Sequence, residues 1–147
     1  NISGEDGKMR LLKLLSVTFL AAAVLAAIAI LPARLCFKGA ESYAFFTGDT
    51  SKDFSEVKAQ TDAAVKRLTL SAVNGECAEY SEIDLDALLK SVNGKVIRTE
   101  KLSDSVNYYC KADLPYSVKL YGEEINLHVS VRENGVKVAS PIIFGGY

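Results

Sequence analysis

The chain has 147 residues, a formal net charge of −1, three cysteines, one histidine and no tryptophan. Beyond residue 31, 14 basic residues are scattered among 16 acidic ones. No basic stripe exists to neutralise phosphates, which argues against nucleic acid as a partner, and the 116 residues that follow Leu31 suffice for one small domain with its own core, not for two.

The first element is an uncharged run of 18 residues, Leu14 to Leu31. Backbone amides in hydrocarbon find partners only within the segment, so such a run is helical. At a rise of ~1.5 Å per residue it reaches roughly 27 Å, close to the thickness of a bilayer core. Lys8, Arg10 and Lys13 precede it, and Arg34 and Lys38 follow. The basic excess on the near side favours a cytoplasmic amino end. The expected organisation is a cytoplasmic tail over 1–10, a transmembrane signal anchor over 11–31, a linker over 32–41 and an extracytoplasmic domain over 42–147. A cleaved signal peptide is the competing reading, and it would release a secreted domain. Its small-residue motif would be Ala27-Ile28-Ala29, inside the run, or Leu31-Pro32-Ala33. Lipoprotein processing at Cys36 would require a small residue where Arg34 stands.

In the domain, Ser42–Thr47 is aromatic-rich and reads as a strand, and Phe54–Ala59 as a short second one. Thr61–Val73 is ambiguous between a helix opening at Asp62 and a strand through Val65, Leu68, Leu70 and Val73. Asn74-Gly75 is a hairpin signal leading into a returning strand, Glu76–Ser81. Over Ile83–Val92, Leu85, Leu88, Leu89 and Val92 recur at the spacing of one helical face. Ser81 or Asp84 caps its start, and Asn93-Gly94 supplies a left-handed stop. Strands follow at Lys95–Leu102, Ser105–Lys111, Ser117–Tyr121, Glu124–Arg132 and Val136–Ser140. Within Glu124–Arg132, Ile125, Leu127, Val129 and Val131 share one face, and Asn126, His128, Ser130 and Arg132 the other. That period of two predicts one covered face and one wetter face. The class is α+β, with one mainly antiparallel sheet packed on one or two helices.

Cys77 and Cys110 both fall in predicted strands, and outside a membrane they are expected to form a disulfide if their Cα atoms come within ~7 Å. The alternative is two independent buried thiols. Cys-x-x-Cys spacing, Gly-x-Ser-x-Gly, a phosphate loop and His-Glu-x-x-His do not occur, so no metal site, cofactor or catalytic residue is assigned. The acidic group Glu76, Glu79, Glu82, Asp84 and Asp86 reads as a solvated strand end and helix start. Tyr108 and Tyr109 are adjacent on one strand, so one faces each side. A tyrosine on the wet face beside His128 makes Tyr108, Tyr109 and His128 the candidate recognition residues.

Three stretches, Phe45-Phe46-Thr47-Gly48-Asp49-Thr50-Ser51, Asp104-Ser105-Val106-Asn107-Tyr108-Tyr109-Cys110 and Ser140-Pro141-Ile142-Ile143-Phe144-Gly145-Gly146-Tyr147, resemble a family of small, N-terminally anchored proteins of clostridial Gram-positive bacteria. More remotely they resemble the YwmB-type extracytoplasmic proteins, whose domain is similar to the TATA-box-binding fold. The resemblance covers about residues 42–147. It implies a curved sheet gripping a helix outside the cell, with no known enzyme activity. The functional expectation is a membrane-anchored binding module, held by residues 11–31, that contacts an envelope protein. The competing expectations are an exported enzyme assembled from Cys110, His128 and an acid, and a secreted factor.

Overall fold

A computed structural model of the chain describes residues 2–30, 35–48, 54–58, 60–70 and 72–144. The amino-terminal element is a single helix, α1 (Ile2–Ile30). Asp6–Ala29 is long and apolar enough to cross a membrane, and none of it is buried against the rest of the chain. A soluble helix with no covered face would leave its apolar residues in water, so this surface is one that lipid suits.

The domain is α+β. Its elements are β1 (Ser42–Phe46), β2 (Phe54–Lys58), α2 (Gln60–Thr69), β3 (Gly75–Tyr80), α3 (Leu85–Ser91), β4 (Lys95–Lys101), β5 (Ser105–Lys111), β6 (Val118–Leu120), β7 (Glu123–Ile125), β8 (Leu127–Arg132) and β9 (Gly135–Ser140). Seven strands form one sheet in the order β2-β1-β3-β9-β8-β5-β4, while β6 and β7 make a separate two-stranded ribbon. Every neighbouring pair is antiparallel.

One sheet face carries Tyr43, Phe45, Ala78, Val138, Val129, Leu127 and Cys110, all buried. The two helices cover it. Ala63 and Ala64 of α2 are buried there, their small side chains letting the helix approach closely. The helix over Gln60–Thr69 replaces the strand reading of that segment, and it leaves Val65 and Leu68 48% and 42% exposed. α3 lays Leu85, Leu88 and Leu89, with Val92 just beyond it, half-buried on the same core. Asp84 caps α3 by accepting from the Ala87 amide at 3.0 Å. At its other end Asn93 takes φ 51°, and Gly94 N–H reaches back to Leu89 C=O at 2.6 Å, which closes a Schellman-type stop.

The segment expected as a linker is part of this core. Leu35, Phe37 and Ala40 are buried with it. The strap Leu35–Ala40 is tied down along its length. Cys36 and Phe37 donate their amides to the two Glu76 carboxylate oxygens at 3.0 and 3.2 Å. Tyr80 Oη donates to Lys38 C=O at 2.8 Å, and Gly39 N–H donates to Gln60 Oε1 at 2.9 Å. The Ala40 amide donates to Tyr43 Oη at 3.2 Å.

Other expectations change in detail. Asn74-Gly75 is no hairpin, because β3 pairs with β1 and β9. Gly75 is small for another reason: a Cβ there would stand 2.9 Å from Ser140 C=O of the neighbouring strand. The expected strand Glu124–Arg132 is broken at Asn126. Its side-chain amide bonds both the N–H and the C=O of Ala112, which replaces a strand neighbour at the break.

The Cys77–Cys110 disulfide is not formed, and all three thiols are free. The register explains why. Cys77 pairs with Ala139, Ala139 with His128, and His128 with Tyr109. Cys77 therefore lies three strand spacings, ~14 Å, from β5. It also shares a face with Tyr109, whereas Cys110, one residue on, faces the helices. Burial pushes the Cys77 thiol up to about 12 and the Cys110 thiol to about 11, as desolvation of a thiolate requires.

Candidate functional site

The structure divides the expected recognition residues between the two faces of the sheet. Tyr108 belongs to the helical side, packed half-buried against that core. Tyr109 and His128 sit together on the other side as a cross-strand pair of β5 and β8. Their rings stack with centroids 4.5 Å apart and planes at 23°. The face expected to be wet is closed here: His128 is 1% exposed and Tyr109 7%. Part of the cover is the chain after β9. The Ile143 amide donates to His128 Nδ1 at 3.2 Å, and Phe144 packs on Phe46 at 4.7 Å between ring centroids. Phe46, Cys77, Ala139 and Ile143 form a second small core beneath that cover.

Because Nδ1 accepts, the neutral ring carries its proton on Nε2, which lies 3.3 Å from Asn107 Oδ1 and donates to it. Burial lowers the His128 pKa to about 4. The ring is a neutral, hydrogen-bonded structural group. The Cys–His site considered from sequence is not assembled, since Cys110 and His128 stand on opposite faces.

A polar row crosses this face through Ser42, Glu79, Lys137, Ser130, Asn107 and Glu100, each beside the next in register. Lys137 Nζ lies 2.9 Å from Glu79 Oε1, and Ser42 Oγ donates to Glu79 Oε2 at 3.2 Å. These partners hold the Glu79 carboxyl below its ordinary value, with the Lys137 hydrogen bond the largest cause. Tyr109 Oη donates to Glu100 Oε2 at 3.2 Å. Asn107 Nδ2 and Ser130 Oγ are buried without a hydrogen-bond partner among the described residues.

Beside this row the β6–β7 ribbon packs on β5 and leaves a cleft of about 330 Å³ between itself and β4. Ile97, Tyr109, Leu120 and Ile125 supply its apolar walls, and Arg98 and Glu123 its charges. The ribbon turns at Tyr121-Gly122 with φ of 55° and 82°. Two positive φ values in a two-residue loop define a type I′ hairpin. A bulky residue rarely takes the first of these positions, and such strain gathers at recognition sites. Tyr121 is 66% exposed at the cleft mouth, with the Arg98 guanidinium 4.1 Å from its ring centroid. A cation over an exposed ring holds both side chains in one geometry. The arrangement suits a ligand offering an apolar or aromatic group flanked by polar atoms.

Arg98 and Tyr121 were missed from the sequence. The available signal was the Tyr-Gly pair between two short strands. Arg98 gave none, because its placement depends on a register shift in β4 between Val96 and Arg98. The acidic group also divides. Glu79 is paired and Asp84 is a cap, whereas Glu76 is fully buried on the helical side. Burial raises the Glu76 carboxyl above its ordinary value, against the opposing pull of the Cys36 and Phe37 amides. Among the described residues no group of three or more His, Cys, Asp or Glu could hold a metal ion.

The chain matches no protein-family model, no curated protein and no solved structure.

Proposed function

We propose that the protein is a single-pass, membrane-anchored module whose extracytoplasmic domain binds a segment of another envelope protein through the cleft at Arg98 and Tyr121. The observation that carries the reading is Tyr121, a large exposed ring at positive φ beside an apolar cleft. Such a residue presents much contact area at low entropic cost, as interface hot spots do. The unburied apolar helix supports the anchoring, and the basic excess before it supports an extracytoplasmic domain.

The test is photo-crosslinking in intact cells with a benzophenone side chain at Leu120. A discrete adduct that loses about tenfold in yield on Tyr121→Ala or Arg98→Glu is the expected result. An adduct pattern unchanged by both substitutions overturns the cleft as the contact. Fractionation decides the anchoring separately: full-length chain belongs in the membrane pellet, resistant to an alkaline wash. A soluble mature chain beginning near Ala33 would instead make the domain a secreted factor, with the strap from Leu35 onward intact.

A further inference from the structure

The strap sets how the domain meets the bilayer. Four residues separate Ile30 from Leu35, which is already in the core. An extended chain covers at most about 3.5 Å per residue, so Leu35 lies within roughly 18 Å of the end of α1. The entry point is therefore confined to the membrane-proximal part of the domain. Leu35 and Cys36 enter beside Lys90, Val92 and Asn93 at the end of α3 and beside the loop at Asp113 and Leu114. That loop continues to Tyr116, whose hydroxyl takes a hydrogen bond from Arg67 in the last turn of α2 at 3.0 Å. The strap then runs away from this end, reaching Gln60 in the first turn of α2 only at Gly39.

The same end differs chemically from the far one. α2 opens on Asp62 and finishes on Lys66 and Arg67. α3 opens on Asp84 and Asp86 and finishes on Lys90. Each helix opens on acids and finishes on cations, and the finishing ends are the ones beside Leu35 and the Asp113–Tyr116 loop. Leu68, 42% exposed, lies in the last turn of α2 among them. The acidic side chains at this end are Glu76, buried and held by the Cys36 and Phe37 amides, and Asp113, to which Asn93 Nδ2 donates at 3.2 Å.

Resting on the reading of α1 as a membrane anchor, we propose that the last turns of α2 and α3 sit on the lipid headgroups of the bilayer that α1 crosses, with Leu68 in the interface and Lys66 and Lys90 on anionic lipid. Long cationic side chains flanking one apolar residue are the usual composition of an interfacial contact.

The test uses the full chain in nanodiscs of phosphatidylcholine and phosphatidylglycerol carrying a headgroup nitroxide lipid. An environment-sensitive fluorophore is placed at Thr69→Cys or at Asp86→Cys, both exposed, with the labelled parent chain as background. Quenching several-fold stronger at residue 69 than at 86 is the expected result. Combining Lys66→Glu with Lys90→Glu lowers the docked-to-free ratio by about fivefold or more per charge, and phosphatidylcholine discs weaken the contact similarly. Equal quenching at both positions, or stronger quenching at 86, overturns the proposal while leaving the anchor standing. Full-length chain recovered outside the discs overturns the anchor reading, and this inference falls with it.

Discussion

The two faces of the seven-stranded sheet achieve burial by different means. The helical face is made of small, aliphatic and aromatic side chains, and among the described residues its fully buried carboxyl, Glu76, is used to hold the strap. The opposite face buries Asn107, Ser130 and His128 almost completely under the chain's own tail and neighbouring side chains. Non-directional contacts tolerate adjustment on the first face. On the second, each group needs a partner at fixed geometry, and a lost partner leaves a desolvated atom. Polarity in a strand pattern is thus no measure of exposure.

The largest expected effect breaks the first face at its charge. Glu76→Ala leaves the Cys36 and Phe37 amides buried without acceptors and should lower stability by about 2–5 kcal/mol. Denaturant titration of the full chain in detergent micelles measures it. Glu76→Gln keeps one acceptor oxygen and should lose less, so it remains measurable if the alanine variant fails to fold. It also removes a pH effect of definite sign. A carboxyl held above its ordinary value of 4.5 favours the native state at low pH, and that contribution declines as pH rises through the folded value. A wild-type stability that varies with pH no differently from that of Glu76→Gln across this range would contradict the placement of the carboxyl.

The second face carries the opposite sign. The native state holds His128 neutral down to about 4, against an ordinary 6.5. Between those values the unfolded chain takes up a proton that the native chain refuses. The contribution is fully present above 6.5 and is lost as pH falls toward 4, a change on the order of 3 kcal/mol. Stability measured from pH 7 to 4 should fall more steeply in the wild type than in His128→Gln. Parallel curves would show that the imidazole is solvated.

The smallest effect sharpens the contrast by loosening the cover of the helical face without touching the sheet. Asp84→Ala removes the α3 cap and should cost about 1 kcal/mol. Because α3 has no fully buried residue, amide exchange should rise along Leu85–Leu88 and stay unchanged in β8. Equal acceleration in both would mean that the two faces open as one unit.

Local chemistry was legible in the sequence where one element answers to its own pattern. The leucine spacing of α3 and its Asp84 cap and Asn93 stop stand in the structure, and the alternation through β8 sorts its residues onto two faces, although both are buried there. What escaped depends on which strands become neighbours. Cys77 and Cys110 looked like a pair because spacing along the chain does not reveal that β9 and β8 lie between their strands. His128 looked wet because nothing local announces that Ile143 will fold back over it. Leu35 and Phe37 looked like linker beside Pro32 and Gly39, although their burial rests on Glu76, some 40 residues away. The cleft escaped for the same reason, since Arg98 and Tyr121 meet only once the ribbon and β4 are both in place.

The order of strands has a consequence for biogenesis. Among the described residues β9 is the last strand to be synthesised, yet it lies between β3 and β8 and joins the three strands at one side of the sheet to the three at the other. A polypeptide delivered from its amino end, by ribosome or by translocon, holds two incomplete half-sheets with open edges until β9 emerges. Maturation is therefore all-or-none in time: a truncated or stalled product lacks the keystone, and quality control would meet it as two sticky fragments rather than as a slightly shortened domain.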